Sequence, residues 1–434
     1  MTILEIDKGF GKKEHALPVL IGGVAACIVL VMIYALDYYY PVEYSSLVSE
    51  DDWGEYGTFV FYFLAAVFVG ITIFRISRFR RPGYIAFALI CFLIAMEEVS
   101  WGQRLLGIET PGVLVKYNIQ QELNFHNIVE YYLDIDSLFA LVVGIWGIVL
   151  PILQWRMKAI AGIIEKLGIP VLPAPYRPFL LLALFFRFYF PLYRSDELTE
   201  VLLAFCCFGC AVDMYVKNSE MLHQKRISLT TFSVVLALLI IASIGFLRWY
   251  LPDVKSLSYN LNTYAERNYQ EKGRYVQAEK IYDYIIQNPD LVEEETYLQF
   301  ALCLQHTGNH KKSETVIVEG IQDLDRRISE TPDHLKLHLI KGKLYGLLQE
   351  DDLKVKEFQI LEHKAHAAIR EASNNYEKSD GFYRLAQMYF ESGQIEKAID
   401  HIEKAIAHAE SRADMYYLYS IRDEYLDRLE QDEQ

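Results

Sequence analysis

Residues 229–275 read LTTFSVVLALLIIASIGFLRWYLPDVKSLSYNLNTYAERNYQEKGRY, and the change of pattern inside them decides the architecture. Leu229–Tyr250 is an apolar run with Arg248 as its single charge. A helix rises about 1.5 Å per residue, so about 20 such residues cross roughly 30 Å of hydrocarbon, and this run reads as a membrane span. Beyond Pro252 the pattern becomes that of short amphipathic helices separated by Gly or Asn/Asp turns.

Upstream of the quoted stretch lie six further apolar runs: Leu17–Leu36, Gly57–Phe74, Gly83–Met96, Ser137–Trp155, Pro178–Tyr193 and Leu198–Val216. The third and fifth are short and end in polar residues that a protein interior must accept. The predicted fold class is all-α: a seven-span transmembrane domain, residues 1–251, followed by a polar helical domain, residues 252–434. The charge follows the same division, with a net of -3 in the first part and -12 in the second, out of -15 for the chain. A single soluble globule, a disordered chain and a disulfide scaffold are excluded, and no Lys/Arg-rich face suggests nucleic-acid binding.

Orientation follows from the basic residues of the connecting segments, because Lys/Arg-rich loops stay cytoplasmic. Fourteen lie on one side, among them Arg75, Arg78, Arg80, Arg81, Lys158, Lys166 and Lys217. The opposite loops hold Arg104, Lys116 and Arg194. This predicts a cytoplasmic N-terminus and a C-terminal half outside the cytoplasm, in the periplasm or extracellular space. The first apolar run ends in Asp37-Tyr38-Tyr39-Tyr40 rather than a small-residue cleavage site, so it reads as a retained span. Cys27, Cys91, Cys206, Cys207 and Cys210 fall within spans and Cys303 is alone outside, which predicts no disulfides. Cys206, Cys207 and Cys210 read as small packing residues of an apolar helix.

In the polar half a pattern recurs. Ala265, Tyr269, Gly273, Tyr275, Ala278, Tyr282 and Pro289 form one copy, and Ala301, Leu304, Gly308, Ser313 and Ile317 a second. Gly342, Tyr345 and Phe358 sit in an irregular copy, and Leu385, Ala386, Tyr389, Gly393, Ile395, Ala398, Ile402 and Ala405 in the clearest. Small residues let two helices approach, the glycine turns the chain, and the larger side chains fill the gap to the next hairpin. On these residues the segment 259–412 resembles tetratricopeptide (TPR) repeats, with a frame that slips at Leu335–Leu361, where longer helices are needed. The resemblance implies a surface that binds a protein or peptide partner. The acidity of this half favours basic segments and repels anionic lipid headgroups.

Chemistry points to the outer membrane face, where 16 of the 22 acidic residues of the membrane half gather. Glu50, Asp51, Asp52 and Glu55 precede the second span. Glu97 and Glu98 follow the third, with Trp101, Gln103 and Arg104 just beyond. Glu122 and His126, four apart, share one face if helical, and Glu197 and Glu200 open the sixth span. Glu122, His126, Glu197 and Glu200 are candidate ligands of a divalent metal such as zinc. Glu97 or Glu98 is a candidate general base, with Arg104 orienting substrate beside Trp101, Gln103, Arg187 and Arg194. Arg187 is expected to pair with Glu197 or Glu200. The string Glu97-Glu98-Val99-Ser100-Trp101-Gly102-Gln103-Arg104, with Asn124-Phe125-His126-Asn127, resembles motifs of uncharacterised bacterial multi-pass membrane proteins, which implies a bacterial inner membrane. A distant likeness to ceramidase-like membrane hydrolases lacks their multiple histidines.

Three functions fit: an integral membrane protein whose outer domain binds or organises envelope proteins, a membrane-embedded metal-dependent hydrolase or transferase acting on a lipid-linked or envelope substrate, and a transporter. The first rests on the strongest pattern. The second explains the one-sided acids. The third has only Arg187 and Asp213 as ionisable groups well within spans.

Overall fold

The computed structural model describes residues 16–49, 53–103, 141–189, 194–218, 254–409 and 412–433. Every regular element among the described residues is helical, and the chain separates into two compact units, Met1–Asn268 and Tyr269–Gln434. The predicted seventh span and the segment bearing Arg104, Glu122 and His126 lie outside the described residues.

The first unit contains α1 (Ala16–Tyr39), α2 (Pro41–Leu47), α3 (Trp53–Ile73), α4 (Arg81–Glu98), α5 (Leu141–Arg156), α6 (Lys158–Leu167), α7 (Arg177–Phe188), α8 (Ser195–Lys217) and α9 (Val254–Thr263). Its centre is the packing of α3 on α4 and on α8. Tyr62, Ala65 and Val69 from α3 meet Phe87, Cys91 and Ala95 from α4 and Ala204, Cys207, Phe208 and Ala211 from α8. The alternation of small and aromatic side chains lets three backbones come close without voids. Cys206 and Cys210 are buried there, their thiols facing the carbonyls of Tyr176 and Val171 at 3.5 and 3.8 Å, so they serve as packing residues.

Among the described residues three helices are long and apolar enough to cross a membrane: Leu17–Tyr39, Trp53–Ile73 and Ser195–Lys217. Only 17% of the apolar window of α1 is buried, against 44% for α3 and 56% for α8, which puts α8 at the centre and α1 at the rim. The other expected spans that fall among the described residues are shorter or more charged. Helix α4 carries Arg81, Glu97 and Glu98 at its ends, and the described part of the fourth run is the 16-residue α5, with π-helical turns at Ile145–Val149. Helix α7 has 12 residues, about 18 Å of rise against roughly 30 Å of hydrocarbon.

The two ends of this unit differ in charge. At one, Arg80 pairs with Glu165 at 2.5 Å, Arg75 lies over the Tyr215 ring, and Lys217 holds Asp213 at 2.6 Å. At the other, α3 and α8 begin and α4 and α7 end, as the hydrogen bond from Ser195 Oγ to the Phe186 carbonyl requires.

The second unit is a run of helices in which each packs on the next: α10 (Tyr275–Gln287), α11 (Thr296–His306), α12 (His310–Glu330), α13 (Leu335–Leu347), α14 (Asp351–Glu371), α15 (Asn375–Glu391), α16 (Ile395–His408) and α17 (Arg412–Glu433). Helices α11, α13 and α15 also touch in succession and form one face. Turns of one design recur at Gly273, Gly308, Gln349 and Gly393, each with positive φ between 60° and 76°. In each, the next residue's N–H donates to a carbonyl five positions back, as from Asn309 to Leu304 and from Gln394 to Tyr389. This is the Schellman closure, which satisfies carbonyls at a helix end and favours glycine in the left-handed position. Gln349 does the same with a side chain.

Ten residues of the repeated pattern are fully buried, namely Ala278, Tyr282, Ala301, Leu304, Ile317, Leu385, Ala386, Ala398, Ile402 and Ala405, all within 1% of full burial, while Tyr275 and Tyr345 are half-buried and Pro289 is exposed. The irregular frame has its cause in α12 and α14, each 21 residues long. Gly342 admits the Phe358 ring across the hairpin α13/α14: a Cβ there would come within 2.2 Å of it. One buried ionic network crosses the same hairpin. His338 Nδ1 meets Glu357 Oε1 at 2.5 Å, and Lys341 joins Glu357 Oε2 at 3.2 Å and Asp325 at 2.7 Å. Burial pushes the Glu357 carboxyl up, but the His338 hydrogen bond and the Lys341 ammonium outweigh it and hold it below its ordinary value.

Candidate functional site

Among the described residues, two of the places that gather polar groups are built from several converging helices. The first is the acidic end of the first unit. Glu55 belongs to the first turn of α3, Glu97 and Glu98 end α4, and Glu197 and Glu200 lie in the first two turns of α8. The packing of α3, α4 and α8 makes these termini converge, and Glu98 lies within electrostatic reach of Glu200, Glu55, Glu197 and Glu97. Tyr62, 3% exposed and seven residues along α3 from Glu55, lies within electrostatic reach of Glu98 and Glu200. A spacing of seven keeps two residues on one helix face, the one signal that could have added Tyr62 and Glu55 to the expected site.

The backbone around these acids is unusual. Ser100, Trp101 and Gly102 adopt φ of 45°, 56° and 73° in succession, and Trp101 Nε1 donates to Glu97 Oε1 at 2.5 Å. Arg194, at φ 58°, precedes α8 and donates to Glu197 Oε1 at 3.1 Å and to Asn260 Oδ1 of α9 at 3.5 Å. A left-handed residue with a side chain costs about 1–2 kcal/mol, and such strain concentrates at functional positions.

Of the expected site residues, Glu97, Glu98, Trp101, Gln103, Arg187, Arg194, Glu197 and Glu200 belong to helix ends at this one face. Arg187, expected to pair with Glu197 or Glu200, pairs with Asp196, next to Glu197, at 3.8 Å. Glu197 is held by Arg194, three residues before it. Both arginines are thus counter-charges to the first turn of α8. Among the described residues no group of three or more His, Cys, Asp or Glu side chains has a geometry that could hold a metal ion. The expected metal ligands Glu122 and His126, and Arg104, lie outside the described residues.

The second place is a cleft of about 310 Å³ on the face made by α11, α13, α15 and α17. Along α13, Lys336, Leu339, Ile340 and Lys343 line it at the i, i+3, i+4, i+7 spacing of one helix face. Arg384, Tyr383 and Gln387 come from α15, and Tyr417 from α17. A continuous string of hydrogen bonds builds the wall: Arg384 Nη1 donates to Gln387 Oε1 at 3.0 Å, Gln387 Nε2 to the Tyr383 hydroxyl at 2.9 Å, and the Tyr383 and Tyr417 hydroxyls meet at 2.9 Å. Burial and the Tyr417 hydroxyl push the Tyr383 phenol well above its ordinary value, so it stays protonated. The three cations in the cleft are paired with carboxylates: Lys336 with Glu294 and Glu295, Lys343 with Glu391 and Arg384 with Asp380.

Comparison of the chain with protein-family models, with curated proteins and with solved structures finds no match.

Proposed function

We propose that the chain is an integral membrane protein whose polar C-terminal half, a TPR-like helical-repeat domain outside the cytoplasm, docks a segment of a partner protein. The observation that carries this reading is the cleft across α11, α13, α15 and α17, to which successive hairpins contribute equivalent faces. Helical-repeat stacks use such extended surfaces for binding. The first unit is the membrane anchor, with seven spans, the basic helix ends in the cytoplasm and the acidic ends outside. A bacterial inner membrane with the repeat domain in the periplasm fits this arrangement, and the expected partners are an envelope protein or peptide and membrane lipid.

The test is site-specific photocrosslinking in cells. Crosslinkers at Gln299 and Gln387 in the cleft should give discrete protein adducts, while those at the exposed Glu314 of α12 and Glu396 of α16 should not. Equal yields from all four positions, or none from the cleft, would refute docking there.

A second reading is favoured by the left-handed Ser100-Trp101 and Arg194 beside converging carboxylates. In it the outer face is the centre of a membrane-embedded hydrolase or transferase acting on a lipid-linked or envelope substrate. Glu122, His126, Glu197 and Glu200 would hold a divalent metal such as zinc, Glu97 or Glu98 would act as base, and Arg104, Trp101 and Gln103 would orient substrate. Stoichiometric metal in protein purified without chelators, lost in both Glu122→Gln and His126→Ala, supports it; metal-free wild type removes it.

A further inference from the structure

We infer that the basic end of the first unit binds anionic phospholipid, with α6 lying in the headgroup layer; this rests on the membrane-anchor reading above and not on the docking reading. Residues 74–81, 155–177 and 210–218 contain nine Lys/Arg and two acids, Glu165 and Asp213. Both acids are already taken, Glu165 by Arg80 at 2.5 Å and Asp213 by Lys217 at 2.6 Å. Arg75, Arg78, Arg81, Arg156 and Lys166 are exposed, and none of them meets a carboxylate among the described residues.

Packing brings these segments to one place. Arg75 lies over the Tyr215 ring at 5.1 Å, which joins the end of α3 to the end of α8. The pair of Arg80 with Glu165 joins the turn before α4 to α6. A Cβ on Gly83 would come within 2.4 Å of the Gly168 carbonyl, so α6 ends against the first turn of α4.

Helix α6 is amphipathic. Ile160, Ile163, Ile164 and Leu167 form one face at the i, i+3, i+4, i+7 spacing, with Lys158, Glu165 and Lys166 opposite. Ile164 is 4% exposed and holds the helix to the bundle, whereas Ile163 and Leu167 stay 54% and 44% exposed. Trp155 and Met157 just before α6, and Phe79 beside Arg80, are exposed as well. The Arg156 guanidinium lies 4.4 Å over the Trp155 ring, and an aromatic ring with a polar partner is at home at a membrane–water boundary.

These cations without counter-charge and apolar side chains without cover share the level at which the span-length helices α3 and α8 end. Water would leave the apolar side chains uncovered, and hydrocarbon alone would leave the cations unpaired. A phospholipid supplies an acyl chain to the first and a phosphate to the second. A zwitterionic headgroup brings its own ammonium and neutralises less, so the fitting lipid is one with a net negative headgroup.

The test uses the full chain in nonionic detergent, incubated with phosphatidylglycerol or phosphatidylcholine of the same acyl chains, with bound lipid counted by native mass spectrometry. Each Lys or Arg near an anionic surface is worth about fivefold in binding, so phosphatidylglycerol should be retained at least fivefold more strongly, less so in salt. Arg78→Gln with Arg156→Gln and Lys166→Gln should abolish the preference, while Arg78→Lys with Arg156→Lys should keep it. Lys311→Gln with Lys356→Gln and Arg370→Gln removes the same charge from exposed positions of the second unit and should leave the preference intact. Helix melting of each variant identifies any loss that comes from unfolding. Equal retention of the two lipids by the wild type, a preference that survives in the folded first triple variant, or an equal loss in the second overturns the inference. A chain that stays monodisperse in water without detergent or lipid removes the membrane reading as well; one that needs detergent yet shows no preference removes the inference alone.

Discussion

Replacing Glu357 with Gln removes the centre of the buried network between α13 and α14. Glu357 and His338 have side chains only 7% and 5% exposed, and their contact is 2.5 Å long. Breaking one side of such a buried pair costs about 3–5 kcal/mol, because the remaining group stays buried without its partner. Two features lower the figure here. Lys341 keeps Asp325 at 2.7 Å, and His338 Nε2 keeps the Pro332 carbonyl at 3.3 Å. The amide oxygen of Gln can also accept one hydrogen bond, so a loss of about 2–3 kcal/mol is expected. For a unit of this size that is a fall in Tm of about 4–12 °C. The assay is thermal melting followed by far-ultraviolet circular dichroism, with hydrogen exchange reporting on α13 and α14. The acid dependence gives a second readout. The Glu357 carboxyl is held below its ordinary value in the folded chain, so its contribution is present in full above the ordinary carboxylate range. It is lost as pH falls through the lowered folded value, and Glu357→Gln should flatten that part of the stability profile. Replacing both residues, His338→Phe with Glu357→Leu, should cost less than Glu357→Gln alone. A melting change under 2 °C, or a double variant less stable than the single, would refute the reasoning.

Gln349→Gly should stabilise the second unit by about 0.5–1 kcal/mol, since it relieves a left-handed side chain at the cost of some chain entropy; urea melting that shows a loss counts against the shared turn design. Gly342→Ala should destabilise by about 1–3 kcal/mol through its clash with Phe358, and a neutral melt would mean that the α13/α14 crossing is looser than described. Glu98→Gln removes one of five neighbouring acids and should raise thermal stability in detergent by about 0.5–2 kcal/mol; a drop would show that its charge is balanced.

Parts of this were legible in the sequence for physical reasons. Gly273, Gly308 and Gly393 mark turns because the backbone there needs positive φ, and Ala398 and Ile402 mark a core face by their spacing. Gln349 escaped because the same turn can be made by a residue that leaves no glycine signature. The two 21-residue helices α12 and α14 hid the period by lengthening the distance between turns, to 41 residues before Gln349 and 44 after it. At the acidic end, loop-sidedness alone grouped Glu97, Glu98, Glu197 and Glu200. It could not assign partners, because Asp196, which Arg187 reaches, and Glu197, which Arg194 reaches, are adjacent in sequence and point about 100° apart on α8. The cleft was invisible to composition: a net charge averages a whole half, whereas Lys336 and Lys343 of α13 and Arg384 of α15 come together only through packing.

The repeated turn has a mechanical meaning. Each is closed by hydrogen bonds between residues at most five positions apart, so none depends on a distant strand or crosslink. A stack of this kind behaves as springs in series: tension along it is carried by every hairpin equally and is relieved at whichever opens first. The hairpin α13/α14 combines the strained turn at Gln349 with the buried Glu357 network. The hairpin whose bend carries a strained side chain is thus the one whose middle is clamped by buried charges.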